Sequence, residues 1–173
     1  GGYTGEGNNV AGKDGKGYSN DYKYDDTTTA SEGDLLDYRI VSKLPHITSK
    51  ATYLSQYTFT DALSTGIAYN EETFKIAFYE ANNTNAAKEI WDLKDNKHQA
   101  AFATVSVDDG DGSEKVTANK ATVKLTEKGL NQINGVNIKG AGNPYEAGDA
   151  KAGYSDYYMV LYYTATVNSD ATV

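Results

Sequence analysis

The chain has 173 residues, 39% of them hydrophobic, a formal charge of −8 and no cysteine. That size supports one domain with a sizeable core, and the negative charge argues against nucleic acid or an anionic membrane surface as a partner. Disulfide and thiolate chemistry are excluded, only His46 and His98 are available to a histidine-based metal or triad site, and no segment approaches the roughly 20 apolar residues of a membrane helix.

The chain opens irregularly. Seven of the first 17 residues are glycine, and a polar run follows from Ser19 to Glu32, so residues 1–32 read as an arm with at most one short strand. From Leu35 to Lys43, Leu36, Tyr38 and Ile40 alternate with Asp37 and Arg39, which predicts a half-buried strand that Pro45 ends. Gln56 to Leu63 reads as the next strand. Tyr57, Phe59, Asp61 and Leu63 share one of its faces, and Gln56, Thr58, Thr60 and Ala62 share the other. Alternation therefore turns Asp61 toward the apolar side, where a carboxylate must be paired, hydrogen-bonded or kept protonated. Asp61 is the principal candidate site residue.

After a turn at Ser64 to Gly66, a third strand is predicted over Thr73 to Glu80, with Phe74, Ile76 and Phe78 opposed by Lys75, Ala77 and Tyr79. The polar run Ala81 to Asn85 leads into Ala86 to Leu93, which fits a short helix or a strand. Ala101 to Val107 is a strand closed by the acidic loop Asp108 to Glu114, and Ala121 to Leu125 is another, with Ala121, Val123 and Leu125 inward. Thr126 to Asn134 reads as one or two helical turns capped by Thr126 and stopped by Gly135, with Leu130 and Ile133 on one side. A Gly-rich surface loop containing Pro144 runs from Gly135 to Gly153. The last strand, Asp156 to Val167, opposes Met159, Leu161, Tyr163, Ala165 and Val167 to Tyr158, Val160, Tyr162, Thr164 and Thr166, so both of its faces are covered. Many short strands almost without helix predict an all-β antiparallel sandwich over residues 33–173.

Four segments in order carry a family resemblance. They are Glu32-Gly33-Asp34-Leu35-Leu36-Asp37-Tyr38-Arg39-Ile40 with Lys43-Leu44-Pro45; Tyr57 through Asn70; Val123 through Leu130; and Tyr162-Tyr163-Thr164-Ala165-Thr166-Val167-Asn168. Together they resemble the isopeptide-forming middle domain of Gram-positive sortase-assembled backbone pilins. The resemblance implies an immunoglobulin-like sandwich serving as a shaft or stalk domain at the cell wall, outside the cell, with neighbouring subunits or domains as partners and no cofactor. It further implies that a lysine amine on a first strand attacks an asparagine amide on a last strand with help from a buried acid, autocatalytic crosslinking rather than enzyme turnover. Asp61 matches that acid. Lys13, in Gly12-Lys13-Asp14-Gly15-Lys16-Gly17, is similar to the reactive-lysine segment in charge and position but lacks its flanking apolar residues. Asn168 matches a position that is not the reactive one, so the reactive asparagine is expected on a strand after Val173, and the chain is expected to be a piece of something longer.

Other readings compete with this one. Asp109 and Asp111, in Asp108-Asp109-Gly110-Asp111-Gly112-Ser113-Glu114, look like Ca²⁺ ligands, but Lys120 stands where an EF-hand needs its final acid, and a solvated loop fits better. Tyr154, Tyr157, Tyr158, Tyr162 and Tyr163 suit either strand packing or a surface binding a host protein or glycan. His46 and His98 are expected to be exposed or lightly packed, and Asn82-Asn83-Thr84 is a glycosylation sequon only in a eukaryotic source. A hydrolase would need two convergent acids, and no strand face carries such a pair.

Overall fold

A computed structural model describes residues 2–4, 32–63, 66–80, 87–94, 102–108, 119–135 and 153–168. Among the described residues, eight strands and one α-helix are laid out in chain order: β1 (Gly2–Thr4), β2 (Leu35–Lys43), β3 (Thr58–Ala62), β4 (Ile67–Tyr79), β5 (Glu89–Asp92), β6 (Ala103–Asp108), β7 (Lys120–Leu125), α1 (Glu127–Asn134) and β8 (Tyr158–Val167). A five-stranded sheet runs β1-β2-β8-β4-β5, a three-stranded sheet runs β3-β7-β6, and every pairing is antiparallel. This is the predicted all-β sandwich. Its core is made where the inward rows meet: Phe74, Ile76 and Phe78 of β4 and Met159, Leu161 and Tyr163 of β8 pack against Ala121, Val123 and Leu125 of β7.

Within the segment 86–93, which fitted helix or strand, Glu89–Asp92 form the strand β5, with Trp91 fully buried. β4 is longer than predicted, because a bulge interrupts it. Asn70 pairs with Thr164 and Lys75 with Tyr162, so Glu71 to Phe74 stand opposite Tyr163 alone. The bulge changes parity: Ile67 and Tyr69 point inward before it, and Phe74, Ile76 and Phe78 point inward after it. Thr73 repairs the ladder with its side chain, since Thr164 N–H donates to Thr73 Oγ1 at 2.9 Å.

Asp37 departs from the reading of β2 as half-buried with a polar outer face, for it is only 1% exposed. The face it shares is itself covered. Ala77, Tyr79, Val160 and Tyr162 form a second buried cluster on the side of the five-stranded sheet away from the sandwich core. Both faces of β8 are covered, as its composition suggested.

The caps of α1 match the sequence. Thr126 accepts the Gly129 N–H through its side chain, and Gly135 ends the helix at φ 73° with its N–H on Asn131 O. Gly129 has a second reason to be glycine. A β-carbon there would overlap the backbone carbonyl of Phe102, which already accepts the Thr126 N–H at 2.9 Å. Helix propensity alone makes Gly129→Ala favourable by about 1 kcal/mol. The overlap is with backbone that cannot step aside, so we expect the variant to lose roughly 2–3 kcal/mol instead. Urea denaturation decides the sign, and a more stable Gly129→Ala would show that the helix start can shift freely.

An aromatic box around an inward carboxylate

β3 places Asp61 as its alternation demands. Phe59, Asp61 and Leu63 are half-buried, whereas Thr58, Thr60 and Ala62 are exposed. Asp61 stands in register with Ala121 of β7, and the strand end is closed by Leu63 N–H to Asn119 O at 2.8 Å. Across the sandwich, the Tyr69 hydroxyl donates to Asp61 Oδ2 at 2.5 Å. Tyr69 reaches it because the β4 bulge keeps this tyrosine on the inward row.

Tyr163 organises the box. Its ring stacks on Phe74 at 5.0 Å and on Tyr38 at 5.2 Å, and lies 5.4 Å from Tyr69 and 5.9 Å from Phe59 between ring centres. Burial pushes the hydroxyls of Tyr69, Tyr163 and Tyr38 up, and the Asp61 carboxylate adds to the rise in each case, through its hydrogen bond at Tyr69 and through its charge at Tyr163 and Tyr38. The phenols therefore remain donors across the physiological range. One carboxylate oxygen is held by Tyr69, and no lysine is ion-paired with Asp61 among the described residues. Such a site can accept an amine or amide N–H on its remaining oxygen in apolar surroundings. No group of three or more metal-ligating side chains occurs among the described residues.

The remaining sequence candidates are scattered. Lys13, Asp109, Asp111, His98, the sequon at 82–84 and the loop at 136–152 lie outside the described residues. Asn168 is exposed at the end of β8, where its N–H donates to Gly66 O at 2.5 Å. His46 is exposed as expected, with its Nδ1 2.6 Å from Asp156 Oδ2, a contact that holds the Asp156 carboxyl below the usual carboxylate range. Of the five tyrosines considered for a binding surface, Tyr154, Tyr162 and Tyr163 are buried, and Tyr157 and Tyr158 are half-buried.

A second inward carboxylate escaped the sequence reading. Glu89 accepts the Trp91 Nε1–H at 2.6 Å, the Tyr154 hydroxyl, and Gln132 Nε2 at 3.4 Å. It thereby ties β5 to α1 and to the approach of β8, and it raises the Tyr154 hydroxyl, which burial has already raised. The signal was available as Glu-x-Trp in a strand, since Glu89 and Trp91 share a face once strand is chosen over helix.

No family model matches the sequence, and no curated protein matches it. Three solved structures are similar in outline. The full-length RrgB pilus protein of Streptococcus pneumoniae is 19% identical at a TM-score of 0.49, over 86% of this chain and 17% of that one. The pilus 2b backbone protein of group B streptococcus is 15% identical at a TM-score of 0.45, over 85% of this chain and 44% of that one. The collagen-binding subdomain of the Enterococcus faecalis surface protein ACE is 12% identical at a TM-score of 0.38, over 82% of this chain and 68% of that one. This chain thus spans well under half of the pneumococcal protein.

The box has a measurable pH signature. The folded state holds these hydroxyls above their ordinary value of 10.0, so the unfolded chain gives up its protons first. Their contribution to stability is whole below about pH 10 and declines as pH rises above it. Thermal midpoints followed from about pH 8 to about pH 12 should fall from near pH 10, and Tyr69→Phe should make the fall shallower. An unchanged slope in Tyr69→Phe would contradict the raised hydroxyl.

Proposed function

We propose that the chain is a structural stalk or shaft domain of a cell-surface pilus or wall-anchored adhesin, and that Asp61 assists a self-formed lysine–asparagine isopeptide bond. The observation that supports this reading is the inward carboxylate in the aromatic box, with Oδ2 held by the Tyr69 hydroxyl, which burial and Asp61 push above its ordinary value. In the reaction the lysine nitrogen attacks the asparagine side-chain carbonyl carbon, the carbon–nitrogen bond of the amide breaks, and ammonia leaves. Asp61 Oδ1 takes a proton from the attacking amine and passes it to the departing nitrogen. The apolar rings around it favour the neutral amine that attack requires.

Lys13 is the candidate amine, and the amide belongs to an asparagine on an adjoining strand. A bond closing a loop of more than 100 residues removes unfolded-chain entropy worth about 4–5 kcal/mol by analogy with a disulfide. It also carries pulling force past the sandwich. Neighbouring domains or subunits of the same protein are the natural partners. In the alternative, a host protein or glycan bound through a tyrosine-rich surface and the loop insertions, Tyr154, Tyr162 and Tyr163 are unavailable, being buried in the packed sheets.

Electrospray mass spectrometry of the intact protein tests the chemistry. A deficit of about 17 Da, one ammonia lost as a covalent modification, is expected in the protein that includes the strand carrying the asparagine and absent from its Asp61→Ala variant, with a branched peptide containing Lys13 after digestion. Full mass with a linear Lys13 peptide would overturn the crosslink.

A further inference from the structure

Asn134–Gly135 is the sole Asn-Gly dipeptide in the chain, and it closes α1. Asn-Gly is chemically exposed, because glycine has no side chain to hinder attack of its amide nitrogen on the preceding side-chain carbonyl carbon. Here both reacting groups are held. Asn134 Nδ2 donates to Leu54 O at 2.9 Å, and Leu54 N–H donates to Asn134 Oδ1 at 2.9 Å, a two-way clasp on a side chain only 7% exposed. Gly135 N–H donates back along the helix to Asn131 O at 2.8 Å, which turns its nitrogen away from the Asn134 side chain. Tyr154 N–H donates to Ile133 O at 2.8 Å, and Gly153 lies against Gly135, so the helix end is also pinned from the β8 side.

We propose that Asn134–Gly135 is a modification site gated by the fold, closed while the Leu54 clasp is made and reactive once it opens. On opening, the Gly135 nitrogen attacks Asn134 Cγ and loses its proton, the Cγ–Nδ2 bond breaks, and ammonia leaves a succinimide. Water opens that ring to aspartate or isoaspartate. The product can rebuild only half of the clasp, the bond from Leu54 N–H to a side-chain oxygen. A carboxylate has no N–H for Leu54 O, it sets an anion against that carbonyl oxygen, and it lies at the negative end of the α1 dipole. The change is therefore one-way and records that the segment has opened.

Peptide mapping of residue 134, with isoaspartate detection, after incubation at mildly alkaline pH tests the proposal on the full chain. Conversion is expected to be roughly 10- to 100-fold slower in buffer than in denaturing urea, the factor being set by how seldom the clasp opens. Below the unfolding transition, the rate should climb with urea in step with hydrogen exchange at the Leu54 amide. Equal rates in buffer and denaturing urea, or a rate indifferent to urea while Leu54 exchange accelerates, would overturn the gate. In Asn134→Asp, which leaves Leu54 O without its donor, the protein should be less stable to urea than the wild type, and a variant of equal stability would overturn the one-way step. The site and its test are independent of whether Asp61 assists a crosslink.

Discussion

The hydrogen bond from Tyr69 to Asp61 is the constraint on which the inner architecture turns. A carboxylate on the inward row of β3 is costly unless something donates to it, and that donor has to arrive from the facing sheet. The β4 bulge makes the meeting possible. Without it, the parity that sends Phe74, Ile76 and Phe78 inward would turn Tyr69 outward, and Asp61 would face only rings. With it, Tyr69 and Phe74 both rest on Tyr163, and the box closes around the acid.

The same physical solution is used again at Glu89. There the donors are Trp91, Tyr154 and Gln132, and the result is mechanical rather than chemical, since three elements converge on one carboxylate. Among the described residues, Asp61 differs in receiving a single hydrogen bond, on one of its two oxygens. That difference separates a saturated acid, which fastens the fold, from one with an oxygen to spare for a reacting group. It is the reason the proposed chemistry is assigned to Asp61 and not to Glu89.

Much of this was legible in the sequence where period-2 alternation is clean. The inward rows of β3, β7 and β8 and the caps of α1 follow from side-chain pattern and from Thr126 and Gly135. The bulge was not legible, because the alternation that predicts a strand over Thr73 to Glu80 does not extend back through Glu71 and Glu72 to Ile67. β5 was ambiguous because a strand of four residues is too short to show a period, and with it went the inward pairing of Glu89 and Trp91. The burial of Asp37 was hidden for a different reason. Alternation reports which face a residue takes, and it does not report whether that face is covered, and on this one Asp37, Tyr79 and Tyr162 are all buried. The pairing of Asn134 with Leu54 spans 80 residues and leaves no local mark at all.

The measurement that tests the account most directly is a double-mutant cycle on Tyr69→Phe and Asp61→Asn, read by urea denaturation. Both substitutions keep side-chain volume, so the coupling isolates the hydroxyl–carboxylate interaction from the packing of the rings. The account predicts a coupling of about 1.5–3 kcal/mol, the range for a hydrogen bond to a charged group. A coupling near zero would mean that Asp61 is satisfied by solvent, and would remove the box as the structural basis for its chemistry.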